Sequence, residues 1–124
     1  MVNMADKIKI SKRLIKGYEI IDITGDISQE GSKEIVKFVK KNITGKDKDV
    51  YMNLEGARHM NSAALSQLVQ MVRELAAKKI IIYFMNVNEK IVTLIKVAGL
   101  HNFFKLINDE AALIDKIDKE NTPN

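Results

Sequence analysis

Residues 61–87 read NSAALSQLVQMVRELAAKKIIIYFMNV, and a change of period inside that run decides the fold. In its first part Leu65, Leu68, Val69, Val72, Leu75 and Ala76 recur at three and four residues. That spacing predicts an amphipathic helix over 62–79. Lys78 and Lys79 suit the negative end of its dipole. IIIYFMNV then follows as an almost unbroken apolar run, the pattern of a strand buried on both faces. A helix feeding such a strand predicts a parallel sheet covered by helices.

The flanking segments extend this reading in both directions. KIKISKRLI (7–15) and YEIIDITGDI (18–27) alternate apolar with polar around Lys16 and Gly17, which predicts an antiparallel hairpin. Ser28 is placed to cap a helix over 29–43, with Ile35, Phe38, Val39 and Ile43 as its apolar stripe and Gly45 past its end. DVYMNL (49–54) predicts a short strand ending near Leu54, and EGARHM (55–60) reads as a loop leading to Asn61. Downstream come a helix capped by Asn88 and ended by Gly99, a short strand in FFKLI, and a helix in DEAALIDKID. The expected order is β-β-α-β-α-β-α-β-α. It forms one α/β domain over 6–118 with a mixed, mostly parallel sheet and an antiparallel N-terminal edge strand. Residues 1–5 and 119–124 are expected to be flexible termini.

Composition narrows the chemistry. The chain has 124 residues, enough for one domain, and no cysteine, which removes thiol catalysis, disulfides and thiolate metal sites. Its net charge of +4 comes from scattered Lys and Arg, and aromatics are only 6%; nucleic-acid binding calls for a basic stripe with stacking aromatics. No apolar run reaches membrane-span length, so no membrane insertion is expected, and the start lacks the pattern of a secretory signal. The expected location is cytoplasmic.

Enzyme signatures fail on spacing. GDISQEGSK puts five residues between Gly25 and Gly31 and reverses the Lys and Ser of a phosphate loop. His59 and His101 are isolated, with no second ligand at metal spacing. Ser62 lacks the glycine-flanked elbow of a hydrolase nucleophile. The carboxylate pairs Asp47/Asp49 and Asp115/Asp118 read as solvated surface groups. No enzyme activity, cofactor or metal is expected.

What remains is the corner. Asn61 is a strong N-cap, because its side-chain oxygen accepts a first-turn N–H. Ser62 then occupies the first helical position, near free N–H groups at the positive end of a dipole, beside the small Ala63 and Ala64. A phosphate on Ser62 would be favoured there. Equally, the pair could be a cap and a first-turn serine with no further role.

The chain resembles the anti-sigma-factor antagonists, single STAS domains of bacterial sporulation and stress responses, over about residues 7–117. MNSAAL (60–65) is similar to that family's Met-Asp-Ser-(Ser/Thr/Ala)-Gly-Leu, ITGDIS (23–28) to its Thr-Gly-Glu-Leu-Asp segment, and 87–109 to its helix ending in Gly-Leu before a short strand. The resemblance implies partner switching. The unmodified protein binds an anti-sigma factor that is also a serine kinase. The kinase phosphorylates the serine, here Ser62, and a metal-dependent serine phosphatase resets it; ATP and Mg²⁺ belong to the kinase. The implied contact surface is Asp26, Ser28, Asn61, Ser62, Ala63, Ala64 and Leu65, with Gln70 and Arg73 on the helix and Ser66 and Gln67 as weaker members. Three positions depart from the family: Asn61 and Ser28 stand where it has Asp, and Ala64 where it has Gly. These departures leave open a non-phosphorylated STAS adaptor in a larger signalling or transport complex. A third alternative is a small enzyme or nucleotide-binding protein.

Overall fold

The computed structural model describes residues 8–43 and 49–121. Gly45, Asp47, residues 1–5 and the last three residues, on which expectations were also placed, lie outside them. The described elements are β1 (Lys9–Ile15), β2 (Tyr18–Ile27), α1 (Gln29–Asn42), β3 (Val50–Met60), α2 (Ser62–Ala77), β4 (Ile82–Met85), α3 (Glu89–Val97), a 3₁₀ turn (His101–Phe103), β5 (Lys105–Ile107) and α4 (Glu110–Glu120). The order is the one the periodicities predict.

The sheet runs β1-β2-β3-β4-β5, with β1 antiparallel to β2 and every later neighbour parallel. Lys16 and Gly17 both have positive φ, 51° and 85°, which gives the hairpin a two-residue turn whose twist matches its strands. Strand alternation sorts side chains to two faces. Ile21, Ile23, Met52, Leu54, Ile82 and Phe84 meet the buried stripes of α1, α2 and α3. Ile20, Tyr51 and Met85 point the other way and meet Leu113 and Ile117 of α4. On this second face Arg13 bonds Asp22 (Nε to Oδ2, 2.6 Å), Asn53 donates to Asp22 (2.8 Å) and Asn86 donates to Asn53 (2.8 Å). Burial pushes the Asp22 carboxyl up, but the bonds from Arg13 and Asn53 outweigh it and hold it below its ordinary value.

Several boundaries differ from the sequence reading. β3 does not stop near Leu54; it continues through EGARHM to Met60, so that stretch, His59 included, is strand and not loop. β4 pairs with β3 only over residues 50–53, and beyond them β3 pairs with β2 alone. Two irregularities in the β2–β3 register, between Asp22 and Thr24 and between Gly25 and Ile27, each give β3 an extra residue. They break the two-residue alternation that would have revealed a strand. IIIYFMNV contributes only Ile82–Met85. In α2, Met71 joins the buried stripe, whereas Ala76 is exposed. α4 continues through Lys119 and Glu120, aided by Lys116–Glu120 and Lys119–Asp115 pairs at i,i+4.

Candidate functional site

The site grows from where β2 and β3 end. Ile27 pairs with Met60, so the two strands deliver Ser28 and Asn61 side by side. The Asn61 N–H donates to the Ile27 carbonyl (3.3 Å), which ties one corner to the other. Each residue then caps its own helix. Asn61 Oδ1 accepts from the Ala64 N–H (2.8 Å) and Ser28 Oγ from the Gly31 N–H (3.1 Å). Asn88 adds a third: it caps α3 and its amide donates to the carbonyls of Ala57 and Arg58, both at 3.1 Å. Three helix N-termini thus converge on the end of β3, at the carboxyl ends of parallel strands, where open α/β sheets hold ligands.

Ser62 is the first residue of α2 and exposed, and among the described residues its hydroxyl makes no hydrogen bond. α2 has no acidic residue in its first turn, unlike α1 with Glu30 and α3 with Glu89. The ends of β2 and β3 at this corner carry the charged Asp26 and Arg58. Their side chains approach only to 3.9 Å, Arg58 is 72% exposed, and Asp26 Oδ1 is buried without a hydrogen bond. An ion pair that long and that exposed contributes little, so Arg58 stays available to another anion at the corner.

Of the residues singled out by sequence, Asp26, Ser28, Asn61, Ser62 and Ala63 come together at the surface. Two do not belong on a contact surface. Ala64 is 0% and Leu65 1% exposed, because the third and fourth positions after the cap turn under the helix into the core. The Ala64 methyl therefore fills the interior and adds nothing where a partner's backbone would approach. Gln70 and Arg73 lie on the exposed side of α2, about 12 and 16 Å along the helix from Ser62. They border a shallow depression of 610 Å³ with Ser66. Arg73 stacks over Phe103 (5.9 Å) and Gln70 bonds Glu74 (3.3 Å). Gln67 faces inward and bonds the buried Ser32, joining α2 to α1. Sequence reading missed Ser32, Asn88 and Arg58; Asn88 was legible as a cap but gave no sign of its reach to β3.

Gly25 (φ 114°) lies in β2 and Gly31 in the first turn of α1, so the near-miss phosphate loop is divided between two elements. Among the described residues no group of three His, Asp or Glu could hold a metal ion.

An α/β sheet of this order, with Asn61 capping a helix that opens on Ser62 at the end of its central strand, defines a class of small α/β domains. The STAS-domain family model matches residues 9–113, and the chain belongs to that family. A search of curated proteins found no match. Among solved structures, the anti-sigma factor antagonist from Mycobacterium paratuberculosis superposes with a TM-score of 0.75 at 16% identity, covering 92% of this chain and 97% of that one. The Bacillus cell fate determinant SpoIIAA in its phosphorylated form gives 0.65 at 17% identity, covering 88% and 99%. The murine anion transporter Slc26a9 gives 0.74 at 10% identity; the match covers 86% of this chain but only 18% of the transporter. At these identities the likeness is one of fold.

Proposed function

We propose that this chain is an anti-sigma-factor antagonist that works by partner switching in the cytoplasm. It binds an anti-sigma factor with serine kinase activity through the Ser28–Asn61 corner and the exposed side of α2. Phosphorylation at Ser62 releases it and a serine phosphatase restores it. The observation that carries this reading is the unengaged Ser62 hydroxyl at a helix N-terminus that has a cap but no acid. A phosphate there gains free N–H groups, the helix dipole and the half-free Arg58. A phosphorylated fold neighbour agrees with it. In this reading the protein is a substrate and a binding surface, not an enzyme.

The three departures from the family pattern do not close the site. Asn61 and Ser28 keep the caps that Asp would supply, and the Ala64 methyl is buried. They do remove two negative charges beside the acceptor, and this favours the second reading, a non-switching adaptor. Intact-mass measurement of the protein from its native cell, with Ser62→Ala alongside, separates the two. Partner switching predicts a species heavier by one phosphate that is absent from the variant, and Ser62→Asp that no longer binds the kinase. One unmodified mass under both growth and stress, with Ser62→Asp binding as wild type, would leave the adaptor.

A further inference from the structure

The end of the molecule opposite Ser62 carries a chemistry that packing does not explain. Because β2 to β5 run parallel, the C-termini of α1, α2 and α3 gather where these strands begin. Lys41 closes α1, Lys78 and Lys79 follow α2, Lys96 ends α3 and Lys105 opens β5, all exposed. Among the described residues none of these five has a carboxylate within ion-pair distance. Among the described residues the acids at this end are already engaged: Glu19 with Lys12, Glu74 with Lys40, Asp118 with Lys16, Asp115 with Lys119 and Glu120 with Lys116, while Asp49 accepts from the Ile81 N–H. The helix dipole accounts for Lys41 and Lys96 in last turns. It also favours Lys78 and Lys79 just past α2, but it does not account for Lys105 on a strand.

Among the described residues, three of the four large exposed apolar side chains lie at the same end: Val97 (80% exposed), Leu14 (62%) and Phe103 (39%). Val97 follows Lys96 at the end of α3, Phe103 lies two residues before Lys105 and under the Arg73 guanidinium, and Leu14 is in the hairpin. A specific acidic peptide is met by buried anchors and arginine forks. Exposed apolar groups and lysine point charges at one pole suit a broad anionic surface that asks for no shape complementarity.

We propose that this pole is a peripheral docking surface for an anionic lipid headgroup layer, with Val97 and Phe103 reaching the interface and Ser62 facing away. No helix among the described residues is long and apolar enough to cross a membrane, so the contact is one of adsorption. It does not depend on the role assigned to Ser62.

The test is co-sedimentation of the full chain with phosphatidylcholine vesicles, with and without phosphatidylglycerol. The expected result is binding only to the anionic vesicles, falling as salt rises. Reversing Lys78 and Lys79 together to Glu should lower it about tenfold or more. Val97→Asp should lower it several-fold, Lys33→Glu with Lys37→Glu on the side of α1 much less, and Ser62→Ala not at all. Circular dichroism would confirm that these surface variants fold. No binding to anionic vesicles, or an equal loss from the α1-side pair, would overturn the proposal. So would vesicle binding indifferent to Val97→Asp and displaced by soluble polyglutamate; that outcome would assign the pole to an acidic protein.

Discussion

Two helices start a hydrogen bond apart at the same corner, and they are built differently. α1 begins with a capping Ser28, carries Glu30 in its first turn and hides Gly31 and Ser32. α2 begins with a capping Asn61 and offers Ser62 and Ala63 to solvent, with no acid in its first turn. Each has its cap, so the backbone is equally well ended. The difference is charge: the dipole of α1 already has a counter-charge, whereas that of α2 is left open. A helix start that is capped but uncompensated is stable as it stands and still gains from an added anion. This is the property that a phosphorylation switch requires.

The comparison assumes that the underside of α2 is core and only its outer side is interface. Leu68→Ala tests this with the largest expected effect. Leu68 is fully buried, so truncation should cost about 2–5 kcal/mol in denaturant unfolding. Ser66→Ala and Gln70→Ala on the exposed side should stay within about 0.5 kcal/mol. Comparable losses from both sides would mean that α2 has no free face to offer.

The two starts are adjacent only because β3 arrives in a shifted register, and Gly56 makes that shift possible. A methyl there would lie 2.7 Å from Thr24 Oγ1 and 3.1 Å from Thr24 Cβ and Cγ2. Gly56→Ala should therefore destabilise by about 1–3 kcal/mol, in the range of overpacked sites. The double variant with Thr24→Ala should recover part of that loss. If Gly56→Ala were neutral, β3 would tolerate another path to Asn61 and the pairing of the two starts would be accidental.

This same stretch marks the limit of what the sequence makes legible. Element order, the caps Ser28, Asn61 and Asn88, and the α2 stripe follow from local sequence, because one helix or strand fixes its own pattern. The overhang of β3 does not. Within the sheet residues 55–60 pair with β2 alone, through an irregular register, and so show neither a continuous apolar run nor clean alternation. Leu65 is the opposite case. Its place in the apolar stripe already put it in the core, and its proximity to Ser62 in sequence was no argument for surface contact. The convergence of three helix starts on β3 is a tertiary fact, and only Asn88's bonds to Ala57 and Arg58 disclose it.

The caps give the next effect in size. Ser28→Ala and Asn61→Ala should each lose about 1 kcal/mol in thermal or denaturant unfolding. The loss at Asn61 should be the greater, because Glu30 continues to favour the start of α1 when Ser28 is gone. Asn61→Asp should restore the cap and add a charge that α2 lacks. Equal losses, with no gain from Asp, would erase the distinction between the two starts.

The smallest effect is the most direct. Ser62→Asp places a carboxylate in the first turn of α2, near Arg58, without removing any hydrogen bond among the described residues. It should raise stability by about 0.3–1 kcal/mol at low ionic strength, and the gain should shrink as salt screens the dipole. Glu30→Gln should do the reverse at α1 by a similar amount, with the same salt dependence. Paired unfolding curves at two salt concentrations read both. Opposite signs that converge on salt addition would establish α2 as the vacant anion position and α1 as the filled one. A destabilising Ser62→Asp at low salt would show that the start of α2 is not open to negative charge. Phosphorylation there would then have to act by disrupting the fold, not by changing the surface of an intact one.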